Sequence, residues 1–335
     1  MATDLIDSAQ GLLVGTFIGD ALGMPIEGYT REKIVSEFGF VRGYLEGRLP
    51  PGTYTDDTEM TLGLAESLVE RGGFDPQDAA TKFAENFTLW RGYGSRTCGV
   101  ISKIRAGQPW DEVGTDSWGN GAAMRIAPLG LHYCGHSGLR EVAAKSCRIT
   151  HQHPNALAGS VVQAVSVAES VRRGLLFIDV DVESYQEILI PVAGEFGEAL
   201  VRPLERLKDL SLGHTSEEKA TTLSSAFACD VSAVGSVPAA LAAFLSAEDF
   251  EDAVVTAVNA GGDTDTLGAM TGALAGAYYG LSGIPEDLIS GLYDGERGIS
   301  YVKKLGERLG LSAREGTAGD FELDEDDEDE EDLDL

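Results

Sequence analysis

Two apolar segments of the chain carry glycine at every fourth position. The eight glycines are Gly11, Gly15, Gly19, Gly23, Gly268, Gly272, Gly276 and Gly280. A glycine inside a helix costs about 1 kcal/mol relative to alanine, so eight of them need a structural reason other than drift in a glycine-rich chain. Glycines at this spacing form a ridge without side chains, against which another backbone packs closely. If both ridges lie in one core, the first and last thirds of the chain pack together and their loops meet.

A helical repeat of apolar residues dominates the rest of the chain and predicts an all-α fold. The repeat covers residues 5–22, 58–69, 76–89, 121–133, 154–171, 183–207, 237–245, 249–258 and 267–279. Only "GLLFIDVDV", residues 174–182, reads as extended. No proline- or serine-rich linker separates these segments, which predicts a single helical domain over residues 1–310.

The C-terminal segment 311–335 is strongly acidic. Its last sixteen residues hold twelve of the 55 acidic residues and no Lys or Arg, and the formal net charge of the chain is -30. We expect such a like-charged block to be disordered and solvated. Direct nucleic-acid binding is not expected, because it needs clusters of Lys and Arg. With only eight lysines in the chain, adaptation to high salt is a further hypothesis.

The sequence gives no sign of secretion or of a membrane span. The longest small-residue run, 267–281, is rich in glycine and short of the roughly 20 apolar residues that a span needs. The start "MATDLIDSAQ" lacks the basic residues of a signal peptide. The four cysteines show no CxxC spacing, so we expect them to be reduced. A cytoplasmic protein is therefore the expectation, and separately we expect it to be a monomer.

Two loops carry more oxygen-bearing side chains than helix capping requires. They are Thr55, Asp56, Asp57 and Thr58 in "YTDDTEM", and Asp263, Thr264, Asp265 and Thr266 in "GGDTDTLG". One cap uses one side chain, although acids are also favoured near a helix start, and Glu59 suggests a capping box. If the loops converge, their four carboxylates need cations between them. Oxygen ligands without Cys or His favour Mg²⁺ or Mn²⁺ over Ca²⁺, and two ions would fit.

Six motifs in a fixed order make the chain recognisable. They are "GTFIGDALGMPIEG", "YTDDTEM", "RGYG", "SWGNGAAMRIAPLGL", "ITHQHPNA" and "NAGGDTDTLGAMTGALAGA". Together they closely resemble the ADP-ribosylglycohydrolase family, which includes the dinitrogenase reductase-activating glycohydrolases. The resemblance covers residues 5–308. It implies a single-domain orthogonal helical bundle with two Mg²⁺ ions, or Mn²⁺, that cleaves the bond between ADP-ribose and its acceptor.

The resemblance also implies which residues form the site. The metal ligands it implies are Thr55, Asp56, Asp57, Asp263, Asp265 and Thr266. Glu27 and Asp57 are the two candidates for catalytic proton transfer. The substrate-binding residues it implies are Gly92, Gly94, Ser117, Trp118, Gly119, Asn120, Gly121 and His151. In this interpretation the diphosphate lies at the free N–H groups of a helix that starts after "GNG", and Arg125 is a core ion-pair partner or a ligand.

The expected partner is an ADP-ribosylated protein or O-acetyl-ADP-ribose. Recognition of an arginine linkage would require a carboxylate facing the guanidinium. The segment "WRGYGSRTCG" contains no carboxylate and instead contains Arg91 and Arg96, which puts arginine specificity in doubt without excluding it. Two alternatives remain: a Mg²⁺-dependent hydrolase of a small phosphoester, and a non-catalytic relative that binds ADP-ribose. Loss of metal ligands is the usual mark of the second alternative, and all six ligands are present here.

Overall fold

The computed structural model describes residues 4–317, and these form an all-α protein. Seventeen α-helices and no strand occur in this range, with three isolated β-bridges between loops. The first nine helices are α1 (Leu5–Gly23), α2 (Arg31–Phe38), α3 (Asp56–Arg71), α4 (Pro76–Asn86), α5 (Ser95–Arg105), α6 (Trp110–Val113), α7 (Ala127–His132), α8 (Leu139–Arg148) and α9 (Pro154–Leu176). The others are α10 (Val182–Gly194), α11 (Val201–Glu205), α12 (Ser216–Ala226), α13 (Ala233–Leu245), α14 (Phe250–Val258), α15 (Thr264–Tyr279), α16 (Glu286–Ser290) and α17 (Ile299–Thr317). The all-α prediction is confirmed.

Short 3₁₀ turns complete the fold. They are Met24–Ile26, Leu89–Arg91, Arg206–Asp209 and Leu281–Gly283. The predicted boundary at residue 310 falls inside α17, which continues to Thr317. Residues 318–335 lie outside the described part of the chain. The expected disorder of the acidic segment therefore stays a prediction there.

Three of the predicted elements are wrong in extent or type. The helix expected over 121–133 is a series of turns up to α7, and the one expected over 183–207 is broken between α10 and α11. The break contains Gly197, whose φ of 127° lies outside the helical region. The extended segment expected over 174–182 does not form, because α9 continues to Leu176 and a short turn leads into α10.

Helices α1 and α15 form the most extensive helix pair of the described chain, and the two glycine ridges are its interface. A Cβ atom built on Gly15 would lie 2.1 Å from the carbonyl oxygen of Gly272, and one on Gly19 would lie 1.9 Å from that of Gly268. Side chains at these positions would collide with backbone, so the helices approach this closely only because glycine is present. The predicted packing of the first and last thirds of the chain is confirmed.

The α1 segment also has the length and hydropathy of a membrane span. Among the described residues, Leu5–Ile26 is the one helix that meets these criteria, and 89% of its apolar window is buried inside the protein. The sequence analysis considered only the small-residue run 267–281 and missed this longer segment. A mostly buried core helix passes the same test of length and composition, because a helix that is apolar on all sides is also found in protein cores.

Alanine substitutions at two helical glycines test the ridge. Gly19→Ala places a Cβ atom into the backbone of α15, and we expect the free energy of unfolding to fall by about 1–3 kcal/mol or more. Gly99 in α5 is the matched control, because a Cβ atom there meets nothing within 4 Å. Gly99→Ala should raise stability by about 0.5–1 kcal/mol. Urea titrations of both variants give the two values, and equal effects would contradict the close packing.

Candidate metal centre and active site

Backbone hydrogen bonds that involve glycines hold the segment after α1 against the loop before α15. The Gly28 amide donates to the Gly262 carbonyl oxygen, and the Gly262 amide donates to the Tyr29 carbonyl oxygen, each at 2.8 Å. Gly262 has a φ of 82°, and a Cβ atom there would lie 1.9 Å from the Cys229 carbonyl oxygen. Only glycine fits this position. The pairing holds Glu27 beside the acidic loop at the start of α15.

The two acidic loops and the other motif segments line one cavity of about 410 Å³. Every site residue that the resemblance implies contributes to its wall except Thr55. The wall residues from that set are Glu27, Asp56, Asp57, Gly92, Gly94, Ser117, Trp118, Gly119, Asn120, Gly121, His151, Asp263, Asp265 and Thr266. Segments far apart in sequence are thus brought together, while the roles of the individual residues stay predictions.

Carboxylates at the bottom of the cavity lie close enough to share a cation. Oxygen atoms of Glu27, Asp263 and Asp265 all lie within 4.8 Å of one another. Asp263 is the N-cap residue of α15, yet its side chain makes no capping hydrogen bond. Its Oδ2 instead accepts a 2.6 Å hydrogen bond from Nδ2 of Asn120. The capping explanation for this acid therefore fails, and its carboxylate faces the cavity.

Asp57 has a buried carboxylate oxygen that needs a partner. The Thr55 hydroxyl, which is fully buried, donates to Asp57 Oδ2 at 3.1 Å. Asp57 Oδ1 is buried and has no hydrogen-bond partner among the described residues. An unpaired buried carboxylate oxygen costs free energy. A hard cation in the cavity would satisfy it, and this donor set fits one.

Glu59 does not form the expected capping box. Thr55 is the N-cap residue of α3, and its hydroxyl accepts from the Asp57 amide at 3.3 Å. Glu59 Oε2 accepts from the Thr88 amide at 2.9 Å and from the Tyr93 hydroxyl at 2.8 Å. A capping box needs Glu or Gln three residues after the N-cap residue, whereas Glu59 lies four residues after Thr55. Its carboxylate instead ties α3 to the segment that carries "RGYG".

Asp20 is a residue of the site region that the sequence analysis missed. It is fully buried in α1, and its carboxylate accepts from the amides of Thr55 and Thr58 at 3.0 Å and from the Thr58 hydroxyl at 2.6 Å. These bonds fix the backbone of the first acidic loop against α1. A lone acid inside an apolar, glycine-rich helix was the available signal, because a buried carboxylate must have partners.

Arg48 is the second residue that was missed. Its guanidinium forms an ion pair with Glu27 and lies 3.3 Å from Oδ2 of Asp265. A Cβ atom on Gly92 would lie 2.5 Å from Arg48 Nη2. Gly92, one of the expected substrate-binding residues, therefore lies directly against the Arg48 side chain. No motif marked Arg48, since a loop arginine usually lies in solvent.

Burial and mutual repulsion raise the pKa of the aspartates. Burial, followed by the negative charge of Asp265, raises the pKa of Asp20 to about 7 and that of Asp263 to about 8. The same two causes raise the pKa of Asp56 and Asp57 well above the ordinary value. At neutral pH the aspartates of this cluster are therefore not all ionised together unless cations compensate their charge.

The segment 117–121 reaches the cavity as a loop and not as a helix start. The Gly119 amide donates to the Ser117 hydroxyl and the Asn120 amide to the Val231 carbonyl oxygen. Turns follow, and α7 begins only at Ala127. The expected phosphate site at a helix N-terminus is therefore wrong in its geometry. Trp118 lines the cavity with 44% of its surface exposed.

His151 and Arg125 lie behind this loop. Arg125 is fully buried and donates to the Gly121 carbonyl oxygen at 2.6 Å and to the Thr150 hydroxyl at 2.8 Å. Among the described residues it has no ion-pair partner, and it does not line the cavity. His151 Nδ1 lies 2.7 Å from the same hydroxyl. Burial, Arg125 and Arg96 lower the pKa of His151 to about 3. The imidazole on the cavity wall is thus neutral at physiological pH.

The fold and the site together define an all-α protein with a cluster of carboxylates that could hold a metal ion. A model of the ADP-ribosylglycohydrolase family matches residues 1–317. The ADP-ribosyl-dinitrogen reductase glycohydrolase of Rhodospirillum rubrum is 32% identical over 299 residues, which cover 85% of this chain and 90% of that protein. ADP-ribosylhydrolase ARH3 of Gallus gallus is 30% identical over 322 residues, covering 82% and 86%.

A solved structure shares the fold as well. A chain titled ADP-ribosylglycohydrolase-related protein complex matches with a TM-score of 0.72 and 33% identity, covering 92% of this chain and 99% of that one. The chain belongs to the ADP-ribosylglycohydrolase family, and it is an enzyme of that family.

The raised pKa values predict how the metal-free protein responds to pH. Asp20 and Asp263 have folded-state pKa values of about 7 and about 8, above the ordinary 3.8, so their contribution to stability is lost as pH rises through these values. In EDTA the melting temperature should fall by roughly 5 °C between pH 6 and pH 8.5. Mg²⁺ should reverse the loss at pH 8.5, because it binds the ionised cluster.

Asp263→Asn is the matched variant for these melting curves. It keeps the shape of the side chain and removes one titrating group, so the pH dependence in EDTA should become shallower. The acids with lowered pKa values, such as Asp78 and Asp252, titrate below this window and do not interfere. A melting temperature in EDTA that is independent of pH between 6 and 8.5 would contradict the electrostatic account.

Proposed function

We propose that the enzyme uses two divalent cations, Mg²⁺ or Mn²⁺, to hydrolyse the glycosidic bond between ADP-ribose and its acceptor. The ligands would be Thr55, Asp56, Asp57, Asp263, Asp265 and Thr266. The observation that carries the proposal is the unpaired buried Oδ1 of Asp57, which faces a cavity shared with the acids that begin α15. The proposed ligand atoms are all oxygen, which suits hard ions.

The bound cations would polarise and orient the ribose hydroxyls. The proton-transferring group is proposed to be Glu27. Its side chain is 34% exposed and lines the cavity, so it can reach both a water molecule and the substrate. Asp57, the other candidate, is buried, and one of its oxygens is held by the Thr55 hydroxyl. That bond fixes Asp57 in place, which favours a ligand over a group that exchanges protons.

Arg96 is proposed to receive the diphosphate. It lines the cavity, is exposed, and has no ion pair or hydrogen bond within the described chain. Its charge reaches His151, which lies against Gly121 on the wall of the cavity. A free guanidinium there supplies the positive charge that an anionic ligand needs in a protein of net charge -30. The exposed ring of Trp118 is available to stack on an aromatic group of the substrate.

The acceptor is proposed to be bonded to ADP-ribose through oxygen. Arg96 lines the cavity without an ion pair among the described residues, so an arginine acceptor would place a second guanidinium in the same cavity. Two like charges within one cavity disfavour binding. A serine-linked or acetyl-linked conjugate carries no such charge. We therefore expect faster release from oxygen-linked conjugates than from arginine-linked ones.

The test is release of free ADP-ribose from matched arginine-linked, serine-linked and O-acetyl conjugates, with Mg²⁺ and with EDTA, in low and molar KCl. Asp263→Ala should lower turnover about 100-fold or more without unfolding the chain, because it removes a ligand and no core volume. Asp209→Ala is the control, because Asp209 is an exposed acid that does not line the cavity, and it should leave turnover unchanged.

Each alternative predicts its own outcome in this assay. Turnover of a small phosphoester without release of ADP-ribose would favour the phosphoester hydrolase. Binding of ADP-ribose without any turnover would favour a non-catalytic relative. Release that EDTA does not reduce would contradict the metal centre itself.

A further inference from the structure

A second cavity of about 900 Å³ is lined in part by the "WRGYG" segment, which also contributes to the cavity that holds the acidic loops, here called the active cavity. Its wall comes from the loop before α3, from the end of α4 with the 3₁₀ turn Leu89–Arg91, and from the connection between α16 and α17. Trp90 and Arg91 line the second cavity, whereas Gly92 and Gly94 line the active one. Two residues of chain span at most about 7 Å, so the two cavities are neighbours along this segment.

The positive charges in the floor of the second cavity are already neutralised. Arg91 Nε lies 3.0 Å from Oε1 of Glu59, and its guanidinium stacks 3.6 Å from the ring centroid of Tyr54. Arg297 forms an ion pair with Glu66. Neither guanidinium therefore needs an anionic ligand.

The rim of the second cavity carries an excess of negative charge and exposed aromatic rings. Glu85 and Glu296 are exposed, and neither has an ion-pair partner among the described residues. Trp90 is 58% exposed and Tyr293 is 40% exposed. Arg91 lies over the Trp90 ring at 4.5 Å, which shows that a guanidinium can stack on this side chain. Carboxylates beside aromatic rings are the groups that bind organic cations.

We infer that the second cavity binds a lysine- or arginine-rich stretch of the acceptor polypeptide. The inference rests on the proposed function, because the modified residue of that polypeptide would occupy the active cavity while its neighbours lie against Trp90 and Tyr293. ADP-ribose itself does not suit the second cavity, because its diphosphate would face the carboxylates of Glu85 and Glu296. The net charge of the protein favours the approach of a basic segment.

Fluorescence anisotropy of a labelled hexa-arginine peptide with the full chain tests binding directly. The double variant Glu85→Gln/Glu296→Gln should weaken binding about fivefold. Glu183→Gln/Glu187→Gln is the matched control, since it removes the same charge from exposed positions on α10. Trp90→Ala should weaken binding about threefold, and Trp90→Phe should restore part of it. All variants keep the same acidic C-terminal segment, so a difference between the two double variants cannot arise there.

Equal weakening by the two double variants would show attraction to the overall charge and would overturn the inference. The inference would also be overturned if neither double variant weakened binding.

A kinetic comparison separates failure of this inference from failure of the proposed function. Two ADP-ribosylated peptides are compared, one with arginines flanking the modified residue and one with glycine and serine. The Glu85→Gln/Glu296→Gln variant should raise KM for the basic peptide alone and leave kcat unchanged. If neither peptide is hydrolysed, the proposed function fails, and the anisotropy result still decides whether the second cavity binds the basic peptide.

Discussion

The backbone contact between α1 and α15 is the constraint on which the rest of the structure depends. The paired positions are Gly11 with Gly276, Gly15 with Gly272, Gly19 with Gly268 and Gly23 with Thr264. Along these pairs the residue numbers increase in α1 and decrease in α15, so the two helices are antiparallel. The end of α1 therefore meets the start of α15. The Thr264 hydroxyl completes the contact with a 2.8 Å hydrogen bond to the Gly23 carbonyl oxygen. This register places the acids of α15 beside the segment that carries Glu27.

The same pair of helices also fixes the other acidic loop. Asp20 lies one residue beyond Gly19, and its buried carboxylate holds the amides at the start of α3. Three segments of the chain therefore depend on a contact that is made chiefly by backbone atoms. The cost is electrostatic, because the contact crowds carboxylates whose pKa values rise through burial and repulsion. A bound cation would offset that cost, and Arg48 supplies part of the compensating charge within the chain.

The sequence was informative where a pattern has one physical explanation. Glycines at every fourth position predict close helix packing, and paired carboxylates at two helix starts predict a shared site, so both features were anticipated. Asp20 and Arg48 were missed because each is a single residue whose partners come from distant segments. The helices expected over 121–133 and 183–207 were wrong, because a helical repeat of apolar residues does not show where turns interrupt a helix. At the first of these, the Arg125 side chain bonds the Gly121 carbonyl oxygen within the turns that precede α7.

The central claim is that this helix contact assembles a site for two divalent cations. The most direct measurement is the stoichiometry of Mn²⁺ binding to the metal-free chain by isothermal titration calorimetry, with electron paramagnetic resonance on the same samples. The account predicts two ions per chain, with a resonance signal that shows the two ions coupled to each other. Binding of one ion or none, or two ions without coupling, would contradict it.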